Sequence, residues 1–222
     1  MKNLLLAVSL SAVLFSSCKK EKEATSPQVS SEIGLALNRT DSTDVVYNIT
    51  GSFSAAANTT VIAAADEAFR TEILQRVNKL RSEGCQCGST YMPPVHPLKW
   101  NTKLETAASK YAAEMAAKNW FSHTSPDGTA YYTRIYREGY TIKGFRFLNT
   151  GENIARGQTS IENVMKSWTG SSGHCKNMMS KYYRDLGVAM GYNAAGKTYK
   201  TYWVMDLGAQ VPFGGFPEDK IK

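Results

Sequence analysis

Two histidines and one glutamate are the residues of this chain best suited to chemistry, and they lie in three separate segments. His123 follows an alanine-rich stretch, Glu152 lies between a glycine and an asparagine, and His174 follows a glycine. Two imidazoles and one carboxylate are enough ligands for a zinc-type site with an open position, where a bound water could drive hydrolysis. Without a metal, a histidine beside a glutamate can act as a general base. The sequence therefore predicts that the fold brings His123, Glu152 and His174 together in one cleft, with Asn153 beside them, where a divalent cation such as zinc can bind.

A purely structural role for the same three residues is the alternative. In that case Glu152 would cap backbone amides and the histidines would hydrogen-bond across the wall of the cleft. A serine nucleophile beside either histidine is disfavoured, because the sequence contains no Gly-x-Ser-x-Gly elbow. The aromatic residues could line an apolar ligand groove or simply belong to the core. They are Trp120, Phe121, Tyr131, Tyr132, Tyr136 and Tyr140.

Helices must position the first of these segments. Apolar residues recur at helical spacing over residues 69–80, which predicts a first helix that ends at Gly84. Thr102 and Glu105 form a capping-box pattern, which predicts the start of a second, alanine-rich helix. This second helix ends just before His123, so we expect His123 to lie on a loop at a helix exit.

Two shorter helices and a hairpin complete the predicted fold. Residues 130–138 have the pattern of a third helix, and a second capping-box pattern, Thr159-x-x-Glu162, predicts a fourth helix that a glycine-rich break ends. Two apolar runs, 186–192 and 198–207, flank a loop containing glycine, which predicts a β-hairpin. Helices followed by strands, with apolar faces on both, indicate an α+β domain in which helices pack on an antiparallel sheet.

The N-terminal segment predicts export. Residues 1–17 carry one lysine and then a short apolar run, which is typical of a signal peptide and too short to span a bilayer reliably. Small residues precede Cys18 as in a bacterial lipobox, so we expect a lipid on Cys18 that anchors the exported protein in the cell envelope. Ordinary secretion, with Cys18 left as a thiol, is the alternative. Residues 18–65 are rich in Ser, Thr, Asn and Ala, which is typical of a flexible tether.

Three more cysteines follow Cys18. Export places the chain in an oxidising compartment, where disulfides form and persist. Cys85 and Cys87 are only two residues apart and would close a strained ring with each other, so we expect Cys175 to bond to Cys85 or to Cys87. A zinc site built from the three thiolates is the alternative that the residue types allow.

Composition limits the class of protein and its partners. Hydrophobic residues make up 42% of the 222 residues, which is enough for one domain with a sizeable core and a tail. The formal net charge is +7. This excess favours anionic partners such as phospholipid or wall polymers, although a basic surface without a specific partner also accounts for it. No arginine-rich helix or aromatic-basic repeat is present, so we expect no nucleic-acid partner, and we expect a monomer.

Several ordered motifs resemble one known family. They are, in chain order, Leu98-Lys99-Trp100-Asn101, Phe121-Ser122-His123-Thr124-Ser125-Pro126-Asp127-Gly128, Gly151-Glu152-Asn153-Ile154-Ala155, Trp168 with Ser172-Gly173-His174, Asp185-Leu186-Gly187-Val188 and Tyr202-Trp203-Val204-Met205-Asp206. Over residues 68–209 the chain resembles the CAP superfamily, the group of cysteine-rich secretory, antigen 5 and pathogenesis-related 1 proteins, in its bacterial SCP-like form. The resemblance implies a three-layer α-β-α sandwich with a central antiparallel sheet and a cleft. We expect this domain over residues 66–210, followed by a short tail at 211–222.

The same resemblance implies a metal-binding tetrad. Family members place two histidines and two glutamates in the cleft, where they can hold a divalent metal. Here His123, Glu152 and His174 match three of the four, and Ser171 stands where the second glutamate is expected. One anionic ligand is missing, so we expect weak divalent binding. The resulting expectation is an exported, membrane-anchored module that binds a lipid, a peptide or a cell-wall fragment, and the alternative is a divalent-metal-dependent hydrolase of the cell envelope.

Overall fold

The protein is built around a five-stranded sheet, seen in a computed structural model that describes residues 59–62, 67–196 and 198–220. Its helices are, in chain order, Glu67–Glu83 (α1), Thr102–Lys118 (α2), Tyr131–Arg137 (α3), Ile161–Gly170 (α4) and Ser172–Met178 (α5). Its strands are Thr59–Ile62 (β1), Cys85–Cys87 (β2), Thr90–Met92 (β3), Lys99–Trp100 (β4), Phe147–Arg156 (β5), Asp185–Asn193 (β6) and Thr201–Val211 (β7). A short 3-10 helix covers Pro217–Lys220. β2 and β3 form a separate two-stranded hairpin, and the other strands form the sheet.

The predicted C-terminal hairpin is the centre of the sheet. β6 and β7 pair antiparallel, and β5 pairs antiparallel with the other edge of β7. The strand order is β1-β6-β7-β5, with β4 beside β6 as well. The predicted antiparallel arrangement therefore holds for the long strands, and the two-residue β4 differs because it runs parallel to β6. This order leaves β5 at the edge of the sheet.

Helices cover both faces of the sheet, which gives the predicted α-β-α sandwich. On one face, α1 and α4 contribute buried residues such as Ile73 and Trp168 to a core that includes Val188 of β6. On the other face, α2 contributes Tyr111 to a second core that includes Ala189 of β6. Successive strand residues point to opposite faces, so β5, β6 and β7 each supply both cores.

Glycines allow α2 to lie directly against β6. A Cβ atom at Gly187 would lie 2.1 Å from the backbone nitrogen of Glu105, and one at Gly191 would lie 2.2 Å from the carbonyl oxygen of Ala112. Both distances are far shorter than a normal contact. The backbones of helix and strand can therefore approach this closely only because β6 has no side chains at these two positions.

The helix starts differ from the predicted ones. α2 begins after Asn101, and α4 begins after Ser160; each cap side chain accepts hydrogen bonds from backbone amides of the first helical turn. The capping boxes predicted at Thr102 and Thr159 are therefore wrong. Glu105 does not reach back to cap the helix, because it is buried and accepts hydrogen bonds from an arginine of α1 and the tryptophan of β4.

The predicted signal peptide, Cys18 and most of the predicted tether lie outside the described residues. The end of the region predicted as a tether contains β1, which pairs antiparallel with the last residues of β6. At the other end of the domain, β7 extends to Val211, the first residue of the predicted tail. Within the described part of the chain, none of the helices has both the length and the apolar character needed to cross a bilayer.

Candidate functional site

Glu152 lies in the middle of the edge strand β5. This strand begins five residues earlier, at Phe147. Its partner across the sheet is Asp206 of β7. Residues directly opposite each other in an antiparallel pair share a face of the sheet. Glu152 is 5% exposed and Asp206 is 2% exposed, so two acidic side chains meet in the interior near the edge of the sheet.

Both oxygens of the Glu152 carboxylate already have protein partners. Oε1 lies 2.8 Å from Nδ1 of His123, and Oε2 accepts a hydrogen bond of 2.7 Å from Nη2 of Arg134. The side chains of Glu152 and Arg134 are 1% and 11% exposed, so this ion pair is shielded from solvent. Hydrogen bonds between charged partners of this kind are about twice as strong as neutral ones.

Arg134 of α3 is the central residue of the site, and no sequence motif indicates it. Its guanidinium also donates to Oγ of Ser125 and to the carbonyls of Thr129 and His123. Its planar group lies 3.3 Å from the centre of the Tyr111 ring. No local pattern separates this arginine from the exposed one three residues later in the same helix. The approach of β5 to α3 distinguishes them, and that is a tertiary feature.

His123 is oriented by Glu152. A carboxylate can only accept hydrogen bonds, so Nδ1 of His123 carries the hydrogen and Nε2 of the neutral ring carries the lone pair. The hydroxyl of Tyr111 donates to the carbonyl of Ser122, which fixes the loop just before the imidazole. The His123 side chain is 52% exposed. An imidazole held in this way can accept a hydrogen bond or a proton from a bound ligand.

Asp206 places a second carboxyl group behind Glu152. Burial, and then the charge of Glu152, raise the pKa of Asp206 well above its usual range, while Arg134 opposes this shift. A protonated Asp206 avoids two adjacent negative charges in the interior. Within the described residues, Oδ1 of Asp206 is buried without a hydrogen-bond partner. A neutral carboxyl group tolerates this far better than an ionised one.

His174 is held next to β5 through its backbone. Its carbonyl accepts a hydrogen bond of 3.1 Å from Nδ2 of Asn153. Nδ2 of Asn177 bonds to Oδ1 of Asn153 at 3.0 Å and to the carbonyl of Glu152 at 3.4 Å. Asn153 therefore ties α5 to the edge strand. Burial, and then the charge of His123, lower the pKa of His174, so a proton on one imidazole disfavours a proton on the other.

Ser171 joins α4 to α5 through its backbone. Its amide donates to the carbonyl of Trp168 at 3.3 Å, and its carbonyl accepts from the amide of Cys175 at 2.8 Å. Its side chain makes no capping hydrogen bond at the start of α5. Ser171 therefore sets the turn into α5, at the position where the family pattern would place a second glutamate.

The predicted metal site requires Glu152 as one of its three ligands. Within the described part of the chain, the sulfur atoms of the three cysteines lie within 4.8 Å of one another, whereas His123, Glu152 and His174 do not form such a cluster. The Arg134 guanidinium binds one oxygen of Glu152, and Nδ1 of His123 binds the other. A zinc ion would have to displace a buried ion pair. A metal held by all three predicted ligands does not fit this geometry.

The predicted disulfide is confirmed, and Cys87 is the partner of Cys175. Cys85 and Cys87 are separated by one exposed residue on β2, so both face α5. Sγ of Cys85 lies 3.8 Å from Sγ of Cys175. The three cysteines are buried together with Met179. The cross-link fixes the α5 backbone directly beside His174.

An exposed aromatic and cationic surface extends from the site toward the end of β5. Arg156 lies between the rings of Phe121 and Tyr199, 4.6 Å and 4.4 Å from their centres. Phe121 is 37% exposed and Trp120 is 40% exposed. Arg156 follows the buried glutamate by four residues on the same face of β5, which places it ~13 Å farther along the strand. We refer to Trp120, Phe121, Arg156 and Tyr199 as the aromatic patch.

Two of the domain's cavities have charged side chains in their lining. One of about 160 Å³ lies between α2 and α3 and is lined by Arg134, but not by Glu152. A wider groove of about 730 Å³ is lined by residues 94–97 and by Tyr182 and Arg184. Neither of these two is lined by His123 or His174.

Comparison with known proteins decides the family. A family model described as the cysteine-rich secretory protein family, CAP, matches residues 74–207, which is more than half of the chain. The chain belongs to the CAP family. The matched region includes His123, Glu152, His174 and Arg134, so the whole candidate site lies within the CAP domain.

Relatives of this CAP protein share the domain but differ in length. The chain is 32% identical over 108 residues to a Bacillus subtilis protein described as uncharacterized protein YkwD, an alignment that covers 49% of this chain and 39% of that protein. It is similar to an extracellular protein containing an SCP domain from Bacillus anthracis, with 25% identity, a TM-score of 0.46, and 62% of this chain and 39% of that chain covered. An outer surface protein from Borrelia burgdorferi has the same fold, with 18% identity, a TM-score of 0.52, and 68% and 99% of the two chains covered. The alignments thus span well under half of the length of the two Bacillus proteins.

Proposed function

We propose that this protein is an exported CAP module that binds an acidic fragment of the cell wall in the cleft at the edge of β5. This proposal rests on one observation: His123 binds one carboxylate oxygen of Glu152, and Arg134 binds the other. Because a guanidinium already neutralises the buried carboxylate, that carboxylate is not available to hold a divalent cation. The groups that remain for a ligand are Nε2 of His123 and the aromatic patch.

The chemistry of these groups matches an acidic glycan or glycopeptide. Exposed rings such as Trp120 and Phe121 offer flat apolar faces for stacking, and Arg156 offers a fixed guanidinium for a carboxylate. The distance of ~13 Å along β5 is long enough for a few sugar or amino-acid residues. The net charge of +7 favours an anionic ligand. An open cleft suits such a ligand better than an acyl chain, which requires an enclosed apolar pocket.

The expected location of the protein agrees with such a ligand. A signal peptide at 1–17 and a lipid on Cys18 would hold the domain in the cell envelope, close to the wall. The buried disulfide between Cys87 and Cys175 is typical of an oxidising compartment outside the cytoplasm. If Cys18 carries the anchor, Cys18→Ser releases the protein from the membrane fraction, and the acyl mass disappears from its N-terminal peptide. Unchanged membrane association would refute the anchor.

Binding to purified wall material tests the proposed ligand. The mature protein carrying Cys18→Ser is mixed with insoluble peptidoglycan in sedimentation assays and with soluble muropeptides in calorimetry. We expect His123→Ala and Arg156→Ala each to weaken binding about tenfold, which corresponds to one hydrogen-bonded or charged contact of about 1.4 kcal/mol. Arg146→Ala is the matched control, since Arg146 stacks on Phe147 at the other end of β5.

The outcomes separate the proposed ligand from the alternatives. If Arg146→Ala weakens binding as much as Arg156→Ala, net charge and not the cleft is responsible. If peptidoglycan is not bound but vesicles of anionic phospholipid or an acidic peptide are, the ligand class proposed here is wrong.

A hydrolase is the second candidate, and the geometry favours a metal-free form of it. The Nδ1 contact of His123 with Glu152 leaves Nε2 as a base, which is the arrangement that general-base catalysis requires. Turnover of a wall substrate that persists in a chelator and disappears in His123→Gln would support this candidate. Turnover that stops on metal removal would favour the divalent-metal hydrolase instead.

A further inference from the structure

The cluster of three sulfur atoms between β2 and α5 is not used by the proposed site. Cys87 and Cys175 form the disulfide, and Sγ of Cys85 lies 3.8 Å from Sγ of Cys175. The three sulfur atoms all lie within 4.8 Å of one another. Each cysteine is at most 3% exposed. A thiol is therefore buried in contact with a disulfide.

The register of β2 presents both of its cysteines to the same partner. Cys85 and Cys87 are buried and the residue between them is exposed, because alternate residues of a strand point to the same side. Cys175 faces them from α5 and is fully buried. One sulfur of α5 can thus be reached from two positions on β2.

We infer that Cys85, Cys87 and Cys175 form an internal thiol–disulfide exchange site, in which the bond alternates between Cys87–Cys175 and Cys85–Cys175. The Cys85 thiol loses its proton, and the thiolate attacks Sγ of Cys175. The Cys85–Cys175 bond forms, the Cys87–Cys175 bond breaks, and Cys87 leaves as a thiolate that takes up a proton. One disulfide and one thiol are present before and after, so the step requires no oxidant or reductant.

Chain entropy does not favour either bond. The existing disulfide closes a sequence separation of 88 residues, and the alternative would close 90. The loop-closure term depends on the logarithm of this length, so the two values are nearly the same. Local packing must decide the ratio of the two forms. The surroundings, which include Leu80, Met92 and Met179, are apolar. An apolar environment disfavours the thiolate, so exchange is expected to be slow and to accelerate as the pH rises.

Exchange would change where α5 is attached. Alternate residues of a strand are ~7 Å apart, so the attachment point on β2 would move by about that distance. The hydroxyl of Ser172 donates to the carbonyl of Cys87 at 3.3 Å, and this contact at the start of α5 would have to rearrange. α5 also carries His174. The inference does not depend on the proposed function, because it concerns a bond between two elements and its test uses no ligand.

Trapping the disulfide in the wild-type protein decides the matter. Oxidised protein is held at low pH, moved to a series of higher pH values, and then acid-quenched at intervals. The thiol is alkylated with N-ethylmaleimide under denaturing conditions, and fragment spectra locate the label on Cys85 or on Cys87. We expect the label to start on Cys85 and to appear on Cys87 with time, at a rate that rises about tenfold per pH unit below the pKa of the thiol. A label that stays on Cys85 at every pH would overturn the inference.

Two matched variants supply the reference forms. Cys85→Ser holds only the Cys87–Cys175 bond, and Cys87→Ser is expected to form the Cys85–Cys175 bond when oxidised with glutathione disulfide. If Cys85→Ser forms its bond and folded Cys87→Ser keeps two thiols, the alternative bond is out of reach and the inference is wrong. Should Cys87→Ser not fold, the wild-type experiment still gives the answer.

Discussion

Replacing Arg134 with methionine should lower the free energy of unfolding by about 3–5 kcal/mol, because the change leaves a buried carboxylate without its counter-ion. It removes the 2.7 Å hydrogen bond to Glu152 and the donors to Ser125 and Thr129. With about 4 Å between the charges and an effective dielectric constant of about 20, the lost attraction is about 4 kcal/mol. Methionine retains much of the apolar stem of arginine and loses the guanidinium that lies over Tyr111, so the loss reports mainly on the charged group.

Thermal and urea unfolding, followed by circular dichroism, measure this loss. For a domain of this size, about 3–5 kcal/mol corresponds to a fall in Tm of about 6–20 °C. Arg137→Met is the matched control, since Arg137 lies on the same helix, is exposed and contacts only Oγ of Thr129 at 3.5 Å among the described hydrogen bonds. We expect that control to change stability by less than about 0.5 kcal/mol.

A double variant tests the mechanism of the loss. Arg134→Met combined with Glu152→Leu leaves no unpaired charge, so it should be more stable than Arg134→Met alone. If Arg134→Met costs no more than Arg137→Met, or if the second change makes the protein still less stable, the ion pair is not what holds this site together.

Two further predictions concern the packing of α2 and the protonation of His174. Gly191→Ala should lower the free energy of unfolding in urea by at least about 1–3 kcal/mol, because its Cβ would lie 2.2 Å from the carbonyl oxygen of Ala112. Gly173→Ala is the control, since the added atom meets nothing within 4 Å. Equal effects of the two substitutions would contradict the packing argument. The pKa of His174 is lower in the folded protein, so below about pH 6.5 the unfolded state takes up a proton that the folded state does not, and stability falls as the pH falls. Urea titrations of wild type and His174→Gln at about pH 7 and about pH 5 should show a smaller fall for the variant, and parallel falls would exclude His174 as the cause.

The architecture could be predicted because it depends on repeating patterns. Ile73 and Val77 recur at helical spacing and are fully buried, and the apolar runs around the final loop form β6 and β7. Such periodicity records which side of an element is buried. α3 has only seven residues, too few for a reliable pattern. Tyr132 and Tyr136, for which a place in the core was one of two alternatives, are 51% and 40% exposed, and Arg134 reaches the interior instead.

The candidate site could be predicted only in part. Its histidines and Glu152 were identified by residue type and motif, but their partners come from elements that are distant in sequence. Arg134 is 18 residues from Glu152, and Asp206 reaches it only through the pairing of β5 with β7. A sequence shows which residues can carry charge, and the fold determines which charges neutralise each other. The counter-ion of Glu152 is a side chain of another element, Arg134, and no sequence motif indicates that pairing.

The position of β5 also has a consequence for self-association. An edge strand offers unpaired backbone groups to any other extended chain, which is a common route to aggregation. Here the carbonyl of Thr150 accepts hydrogen bonds from the hydroxyls of Tyr131 and Tyr183, and the carbonyl of Glu152 accepts one from Asn177. The elements that form the cleft therefore also prevent a second molecule from extending the sheet. If the contacts that hold α5 against β5 are lost, we expect oligomers in light scattering before any loss of helical structure.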